Sequence, residues 1–205
     1  MMVSMQTATT PDASEVRDHI VAVGQRIMGG KGFSAVGLNE ILTTAGVPKG
    51  SFYYYFASKD AFGVALLEKY FQDYIAELDQ TLGQAGVTMA DGLVSYFDRW
   101  RSNQLLADCH GKCLVVKMGA EVADLSEPMR LALKAGTAGI VARLASAIER
   151  GKADGSLSVD GEPGAVAESL YQLWLGASVM AKITRDAAAF DAARQTTKHM
   201  LHLSR

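Results

Sequence analysis

Residues 39–62 constrain the fold of this chain more than any other stretch, because they combine two short helix-forming segments with a glycine-containing turn. They read NEILTTAGVPKGSFYYYFASKDAF. The pattern predicts helices over 39–45 and 49–55, a turn at 46–48, and a further helix beginning at Lys59. Two adjacent short helices joined by a turn of about three or four residues form a helix-turn-helix. We therefore expect that motif in the first third of the chain.

The second of these helices carries side chains that suit nucleic acid better than a protein core. They donate hydrogen bonds, carry positive charge or stack, as phosphate oxygens and base edges require. The candidates for DNA contact on this helix and beside it are Asn39, Lys49, Gly50, Ser51, Tyr53, Tyr54, Tyr55 and Lys59. Phe52 and Phe56 are expected to pack under the turn instead. The alternative is a packed aromatic cluster without a DNA role, and it stays open for any single tyrosine.

The net charge of the whole chain argues against DNA binding, whereas the local charge near the predicted contact helix favours it. The net charge is −2 and the isoelectric point is near 6.1, whereas nucleic-acid-binding domains often exceed a pI of about 9. Between Gly46 and Lys59, however, the only charged residues are Lys49 and Lys59. Positive charge is therefore concentrated on the predicted contact helix.

Composition favours an ordinary globular protein, with 49% hydrophobic and 20% charged residues. An uninterrupted run of about 18 apolar residues is absent, as are the features of a signal peptide. We therefore expect a cytoplasmic protein without a membrane partner. The two cysteines, Cys109 and Cys113, are too few for a disulfide scaffold and are expected to be thiols.

The sequence shows no enzyme motif and no cofactor motif. It has no evident nucleophile–base set and no phosphate loop. The spacing of Cys109, His110 and Cys113 offers three candidate metal ligands but no convincing fourth, so no metal is expected.

The rest of the chain also shows helical spacing of apolar residues, and no segment alternates as a strand would. The first helix is predicted from Ser14 to about Gly30, and a long helix capped by Ser58 is predicted over 59–82. Further helices are predicted over 89–107, 113–123, 126–152, 162–183 and 187–203. Ser126 is expected to cap the helix over 126–152. The fold class is therefore all-α, with a three-helix helix-turn-helix head at 13–58 and a bundle of about six helices at 59–205. The helix over 59–82 links the two, spanning about 36 Å.

Residues 32–62 resemble the TetR family of transcriptional repressors, because the pattern Gly-Val-x-Lys-Gly-Ser-Phe-Tyr-x-x-Phe-x-Ser-Lys is specific to it. GKCLVVKMGAEVADLSEPMR (111–130) and LYQLWLGASVMAKITR (170–185) are similar to the NemR-type subgroup, whose members respond to reactive electrophiles. Acrylate-responsive AcuR-type repressors look like a related branch. Gly37 departs from the pattern, since many members have a Thr or Ser cap there.

The resemblance implies a homodimer built through the helices over 162–183 and 187–203. It implies binding to a pseudo-palindromic double-stranded DNA operator, with two recognition helices roughly 34–36 Å apart. A small-molecule inducer would release the operator. The near-continuous apolarity of 162–183 independently favours packing partners on several sides.

Cys113 is the candidate sensor, because it is predicted in the first turn of a short helix after His110 and Lys112. A helix N-terminus and nearby cations lower the pKa of a thiol. The resemblance suggests that Lys182 faces the same pocket, where it would stabilise the thiolate or capture an oxidised sulfur. The alternative is that Cys113 is a small buried hydrophobe, as many free cysteines are.

A non-covalent effector is the other hypothesis for the sensor. An apolar cavity for it would be lined by Tyr96, Trp100, Met118, Tyr171 and Trp174. Each of these residues also fits the ordinary core of a helical bundle.

Overall fold

Helices form all the regular structure in the computed structural model, which describes residues 12–109 and 113–203. The expectations placed on His110 and Lys112 lie outside the described residues. In chain order the helices are α1 (Ala13–Lys31), α2 (Leu38–Ala45), α3 (Lys49–Tyr55), α4 (Lys59–Leu82), α5 (Met89–Cys109), α6 (Leu114–Leu125), α7 (Glu127–Ala153), α8 (Pro163–Thr184) and α9 (Ala188–Met200). The all-α prediction is confirmed.

The turn between α2 and α3 depends on Gly46. Its backbone is left-handed, with φ 66° and ψ 27°, a conformation that glycine adopts without a Cβ penalty. The N–H of Val47 then donates to the carbonyl of Leu42 at 3.0 Å, which closes the end of α2. Gly37 precedes α2 and provides no side-chain cap. The predicted helix-turn-helix is therefore present, and α2 begins one residue earlier than expected.

Three phenylalanines hold α3 against the rest of the head. Phe52, Phe56 and Phe62 are almost fully buried, and their ring centroids lie 5.0 to 5.6 Å apart. Burying such a side chain contributes about 1.5–3 kcal/mol. The expectation that Phe52 and Phe56 belong to the core is confirmed.

The long helix α4 connects the head to the body. Ser58 caps it, because its hydroxyl accepts a hydrogen bond from the N–H of Ala61 at 3.0 Å. In the body, α4 packs closely against α7. A Cβ on Gly136 of α7 would lie 2.1 Å from the ring of Phe71, so this contact requires glycine. The predicted start, cap and end of α4 are confirmed.

The bounds of the remaining helices differ from the sequence expectation by one to three residues at one or both ends. The N-cap position of α7 is Ser126, yet its side chain makes no capping bond, and its buried hydroxyl has no partner among the described residues. The expected cap is therefore wrong, although Pro128 does lie in the first turn. Helix α5 extends to Cys109, two residues past the prediction, and α9 ends at Met200 rather than at 203.

Helix α7 passes a length and composition test for a membrane span, with a mean hydropathy of 1.4, and it is the only described helix that does. Its buried residues recur at helical spacing, as Met129, Leu133, Ile140 and Leu144 show. It contacts α4, α6 and α8. These contacts bury one face of α7 against the rest of the helical bundle.

Candidate functional site

The exposed face of α3 combines aromatic and basic side chains. Tyr53 and Tyr54 are 58% and 77% exposed, which is unusual for large apolar rings. Lys49 and Gly50 are also exposed. No described atom lies within 4 Å of the place where a Cβ on Gly50 would stand. Glycine is thus not required there by internal packing, and its bare backbone leaves room for close approach by a partner.

The other residues predicted to contact DNA have more varied environments. Asn39 is exposed near the start of α2. Ser51 is half-buried, as is Tyr55, whose ring packs edge-on to Tyr54 at 5.0 Å. Tyr55 also packs against the hydrophobic core. Of the three tyrosines, Tyr53 and Tyr54 therefore present the larger free surface.

Lys59 makes two contacts within the protein. Its ammonium donates a hydrogen bond to the carbonyl of Phe33 at 2.9 Å and lies 4.5 Å from the centre of the Phe33 ring. A lysine has three N–H donors, so one bond to a carbonyl leaves two for other acceptors. The phosphate contact of Lys59 stays a prediction, and the structure adds a role in holding Phe33.

A cavity of about 620 Å³ lies between α1, α4, α5 and the beginning of α6. Its wall combines aromatic, amide and charged side chains. Its lining includes Gln25, Arg26, Tyr70, Asp73, Tyr74, Glu77, Tyr96, Arg99, Trp100, Asn103, Gln104 and Cys113. The cavity therefore joins the first helix of the head to the candidate sensor.

The structure brings only part of the predicted pocket together. Tyr96, Trp100 and Cys113 line the cavity. Met118, Tyr171 and Trp174 are not on its wall but lie in the packed core, as their burial shows. The ring of Trp174 stacks on Phe97 at 4.7 Å, and its N–H donates to Thr197 at 2.9 Å. The ring of Tyr171 lies 5.6 Å from that of Trp100, behind the wall.

Sequence reasoning missed two tyrosines of the cavity. Tyr70 and Tyr74 of α4 line the cavity but are not among the predicted sensor residues. They are four residues apart, a spacing that places two hydroxyls on one helical face. This spacing could have predicted that the two hydroxyls share one environment, and both residues do line the cavity.

Cys113 occupies the N-cap position of α6 and keeps a partly accessible surface. Burial raises the pKa of its thiol. The backbone N–H of Val116, the Tyr70 hydroxyl and the more distant charge of Lys182 act in the opposite direction but do not outweigh burial. The expectation of a lowered pKa is therefore wrong, because desolvation disfavours the thiolate.

The tyrosine hydroxyls around Cys113 are neutral and hydrogen-bonded. The Tyr70 hydroxyl donates to the Cys113 sulfur at 3.6 Å, and the hydroxyls of Tyr74 and Tyr96 are hydrogen-bonded to each other at 2.8 Å. Burial raises the pKa of Tyr70, Tyr74 and Tyr96 well above the usual tyrosine value. The thiol therefore lies against an aromatic wall whose phenols are uncharged at neutral pH.

Two other expectations concern the surroundings of Cys113, namely the position of Lys182 and the arrangement of candidate metal ligands. Lys182 is half-buried on α8 and does not line the cavity. Its charge nevertheless offsets part of the rise that burial causes in the pKa of Cys113. Within residues 12–109 and 113–203, no group of three or more His, Cys, Asp and Glu side chains is arranged to hold a metal ion.

Comparison with known families accounts for both parts of the chain. Residues 20–66 match the family described as bacterial regulatory proteins, tetR family, and residues 90–197 match the tetracyclin repressor-like C-terminal domain. The chain belongs to the TetR family. The resemblance found in the sequence is thereby confirmed, and homodimers and binding to DNA operators are typical of this family.

Two curated TetR-family relatives and one crystal structure are similar over most of the chain. The HTH-type transcriptional repressor NemR of Escherichia coli (strain K12) is 40% identical over 187 residues, which cover 91% of this chain and 94% of the relative. The transcriptional regulator AcuR of Cereibacter sphaeroides is 36% identical over 84% of this chain and 79% of the relative. The crystal structure of E. coli NemR in its reduced form superposes with a TM-score of 0.86, covering 91% and 96% of the two chains. The present chain is accordingly a NemR-like TetR-family transcriptional repressor, and its matched relatives are regulators rather than enzymes.

Proposed function

We propose that this repressor dimerises on a pseudo-palindromic DNA operator and leaves it when a reactive electrophile or oxidant modifies Cys113. The observation that carries the proposal is the position of Cys113. Its sulfur lines a cavity of about 620 Å³, at the beginning of α6, within hydrogen-bond reach of the Tyr70 hydroxyl. A modification there changes the volume and polarity at the end of a helix that also packs against the head.

The exposed face of α3 supports DNA binding. Tyr53, Tyr54 and Lys49 lie on the second helix of the helix-turn-helix, which enters the major groove in proteins of this type. Phenol hydroxyls and an ammonium donate to phosphates and base edges. The bare backbone at Gly50 allows the helix to approach closely.

An exposed apolar surface on α8 supports dimerisation. Val179, Met180 and Ile183 are 44%, 47% and 67% exposed. Large apolar side chains clustered on one helix end are typical of protein–protein contacts. The homodimer through 162–183 and 187–203 predicted from the sequence would cover this surface with the same helices of a second chain.

The chemistry follows from the environment of the thiol. With an α,β-unsaturated carbonyl, the sulfur forms a bond to the β-carbon while the C=C electron pair moves to the α-carbon. The thiol proton goes to solvent, and the α-carbon then takes a proton from solvent. At neutral pH the raised pKa keeps most of the thiol protonated, but a thiolate of higher pKa is intrinsically more nucleophilic. The Tyr70 hydroxyl and the N–H of Val116 stabilise that thiolate as it forms.

Operator binding of wild type and Cys113→Ser with and without N-ethylmaleimide tests the proposal. We expect the alkylating agent to release the wild-type protein and to leave the variant bound. Bond formation supplies the free energy of the switch, so release should persist after excess reagent is removed. Equal release of the variant would contradict the covalent mechanism.

A second function, induction by a non-covalent apolar or carboxylate effector, is favoured by one observation. The cavity wall carries the guanidinium of Arg26, a group that binds carboxylates, whereas Arg99 is already paired with Glu77 at 2.9 Å. Here a ligand shifts the equilibrium only by its different affinity for the two states. Release that is unchanged in Cys113→Ser and reversed by dialysis would support this function.

A further inference from the structure

The loop that precedes the helix-turn-helix is held by a carboxylate from the body of the protein. Glu121 on α6 accepts a hydrogen bond from the N–H of Phe33 at 3.1 Å and another from the N–H of Ser34 at 2.7 Å. The partners are 88 and 87 residues apart in the sequence. Each oxygen of the carboxylate takes one N–H, so a single side chain fixes two consecutive peptide groups.

The same loop also receives a hydrogen bond from a lysine at the start of α4. Lys59, the first residue of α4, donates to the carbonyl of Phe33 at 2.9 Å. The ring of Phe33 is 5% exposed and lies beneath the ammonium, 4.5 Å from it. Phe33 is thus bound at its N–H by an anion and at its carbonyl by a cation.

Glu121 is ionised at neutral pH. Burial opposes its charge, but the hydrogen bonds from Ser34 and Phe33, with the charge of Lys59, outweigh burial and lower the pKa of the carboxyl. Charge-assisted bonds of this kind are about twice as strong as those between neutral groups. The contact is therefore stronger than a neutral loop contact of the same length.

Within the head, the N–H of Val36 donates to the carbonyl of Phe33 at 3.4 Å, and Lys31 pairs with Glu40 of α2 at 2.6 Å. The contact with Glu121 adds a tie from the body. Gly32 has φ 94°, and a Cβ there would lie 3.0 Å from an oxygen of Glu121. Glycine therefore both adopts the backbone conformation and leaves room for the carboxylate. At the other end of the loop, Gly37 gives α2 no side-chain cap. The start of the helix-turn-helix is thus fixed in part from outside the head, by Glu121.

We propose that Glu121 is the positioning residue through which α6 sets the orientation of the DNA-binding helices, as a connection separate from α4. Glu121 follows Cys113 by eight residues, about 12 Å along the helix. A displacement of α6 at its Cys113 end moves the carboxylate, and hydrogen bonds weaken steeply when their geometry changes. Only the first step, from modification of Cys113 to displacement of α6, rests on the proposed function.

The variant Glu121→Gln tests the proposal, with Asp124→Asn as the matched control. Both carboxylates lie on α6, and Asp124 is exposed. Fluorescence anisotropy with operator DNA should show at least about a fivefold loss of affinity for Glu121→Gln, the lower end of typical coupling between sites. Asp124→Asn should bind as wild type does. After treatment with N-ethylmaleimide, the further loss of affinity should be much smaller in Glu121→Gln than in wild type.

Hydrogen exchange separates a positioning role from general stability. The amides of Phe33, Ser34 and α2 should exchange faster in Glu121→Gln than in wild type or Asp124→Asn, while those of α8 should not change. Equal affinity and equal exchange in Glu121→Gln and the control would overturn the proposal, as would faster exchange throughout α8. If wild type itself is not released by the alkylating agent, the sensor function fails, whereas affinity and exchange still decide the role of Glu121.

Discussion

The hydroxyl of Tyr70 donates a hydrogen bond to the sulfur of Cys113 across 3.6 Å, joining the helix that leads to the DNA-binding head with the beginning of α6. The phenol is neutral and a donor, so it stabilises the thiolate more than the thiol. Burial nevertheless dominates and raises the pKa of the thiol. The sensor site therefore consists of a protonated thiol with a donor already in place.

The rate of Cys113 alkylation should keep rising with pH above the range in which the rate for an ordinary thiol rises. The pKa of Cys113 lies above that of an ordinary thiol, because the thiol is buried. The thiolate fraction, and with it the rate, should therefore still be increasing at a pH where the rate of a small free thiol has levelled off. Iodoacetamide labelling followed by mass spectrometry of the Cys113 peptide measures this, and a plateau below pH 8 would contradict it.

Tyr70→Phe should slow alkylation of Cys113, because it removes the hydroxyl that favours the thiolate. One hydrogen bond to a charged group contributes about 1.5–3 kcal/mol, which corresponds to a rate reduction of at least about tenfold. Tyr74→Phe is the matched control, since the Tyr74 hydroxyl bonds to Tyr96. The same labelling experiment compares the two variants, and equal rates would rule out a special role for Tyr70.

Lys59→Ala should weaken operator binding, and the salt dependence will separate its two possible roles. Loss of one phosphate contact lowers the slope of log K against log salt by about 0.9. Loss of the bond to the Phe33 carbonyl lowers the affinity without changing that slope. We expect the slope to fall, as it should also in Lys49→Ala, which has an exposed side chain. An unchanged affinity and slope would exclude both roles.

Tyr54→Ala and Phe52→Ala should separate DNA contact from stability within α3. Tyr54 is 77% exposed and Phe52 is fully buried. We expect Tyr54→Ala to reduce operator affinity with a change in unfolding free energy within about 0.5 kcal/mol. Phe52→Ala should lower the unfolding free energy by about 3–5 kcal/mol. Urea titration and anisotropy measure the two quantities, and unchanged DNA binding in Tyr54→Ala would remove that tyrosine from the interface.

Ile183→Asp should prevent dimerisation, because it places a charge in the exposed apolar surface of α8. Ile183 is 67% exposed in the single chain, so the variant should fold normally. Leu131→Asp on α7 is the control, since Leu131 is 49% exposed outside the predicted dimer helices. Analytical ultracentrifugation should show a monomer for Ile183→Asp and a dimer for Leu131→Asp. A dimer in both would move the interface elsewhere.

The head was predictable because its signals are local. A glycine at the end of α2, a serine before α4 and apolar residues at helical spacing each act within a few residues of chain. The bounds of α3 and α4 and the burial of Phe52 and Phe56 follow from such signals. The capping bond expected of Ser126 did not, because a cap also requires the hydroxyl to point at the helix end, and the buried hydroxyl of Ser126 makes no such bond.

The sequence by itself determined the helices, the helix-turn-helix and the family, since these depend on periodicity, turn chemistry and a contiguous motif. It also pointed to Cys113. Only the tertiary structure decided how that residue behaves. The burial that raises its pKa and the hydroxyl of Tyr70 come from distant parts of the chain. The same holds for the contact between Glu121 and Phe33, whose partners are 88 residues apart. A local sequence pattern does not predict such long-range contacts, because they form only when the helices pack together.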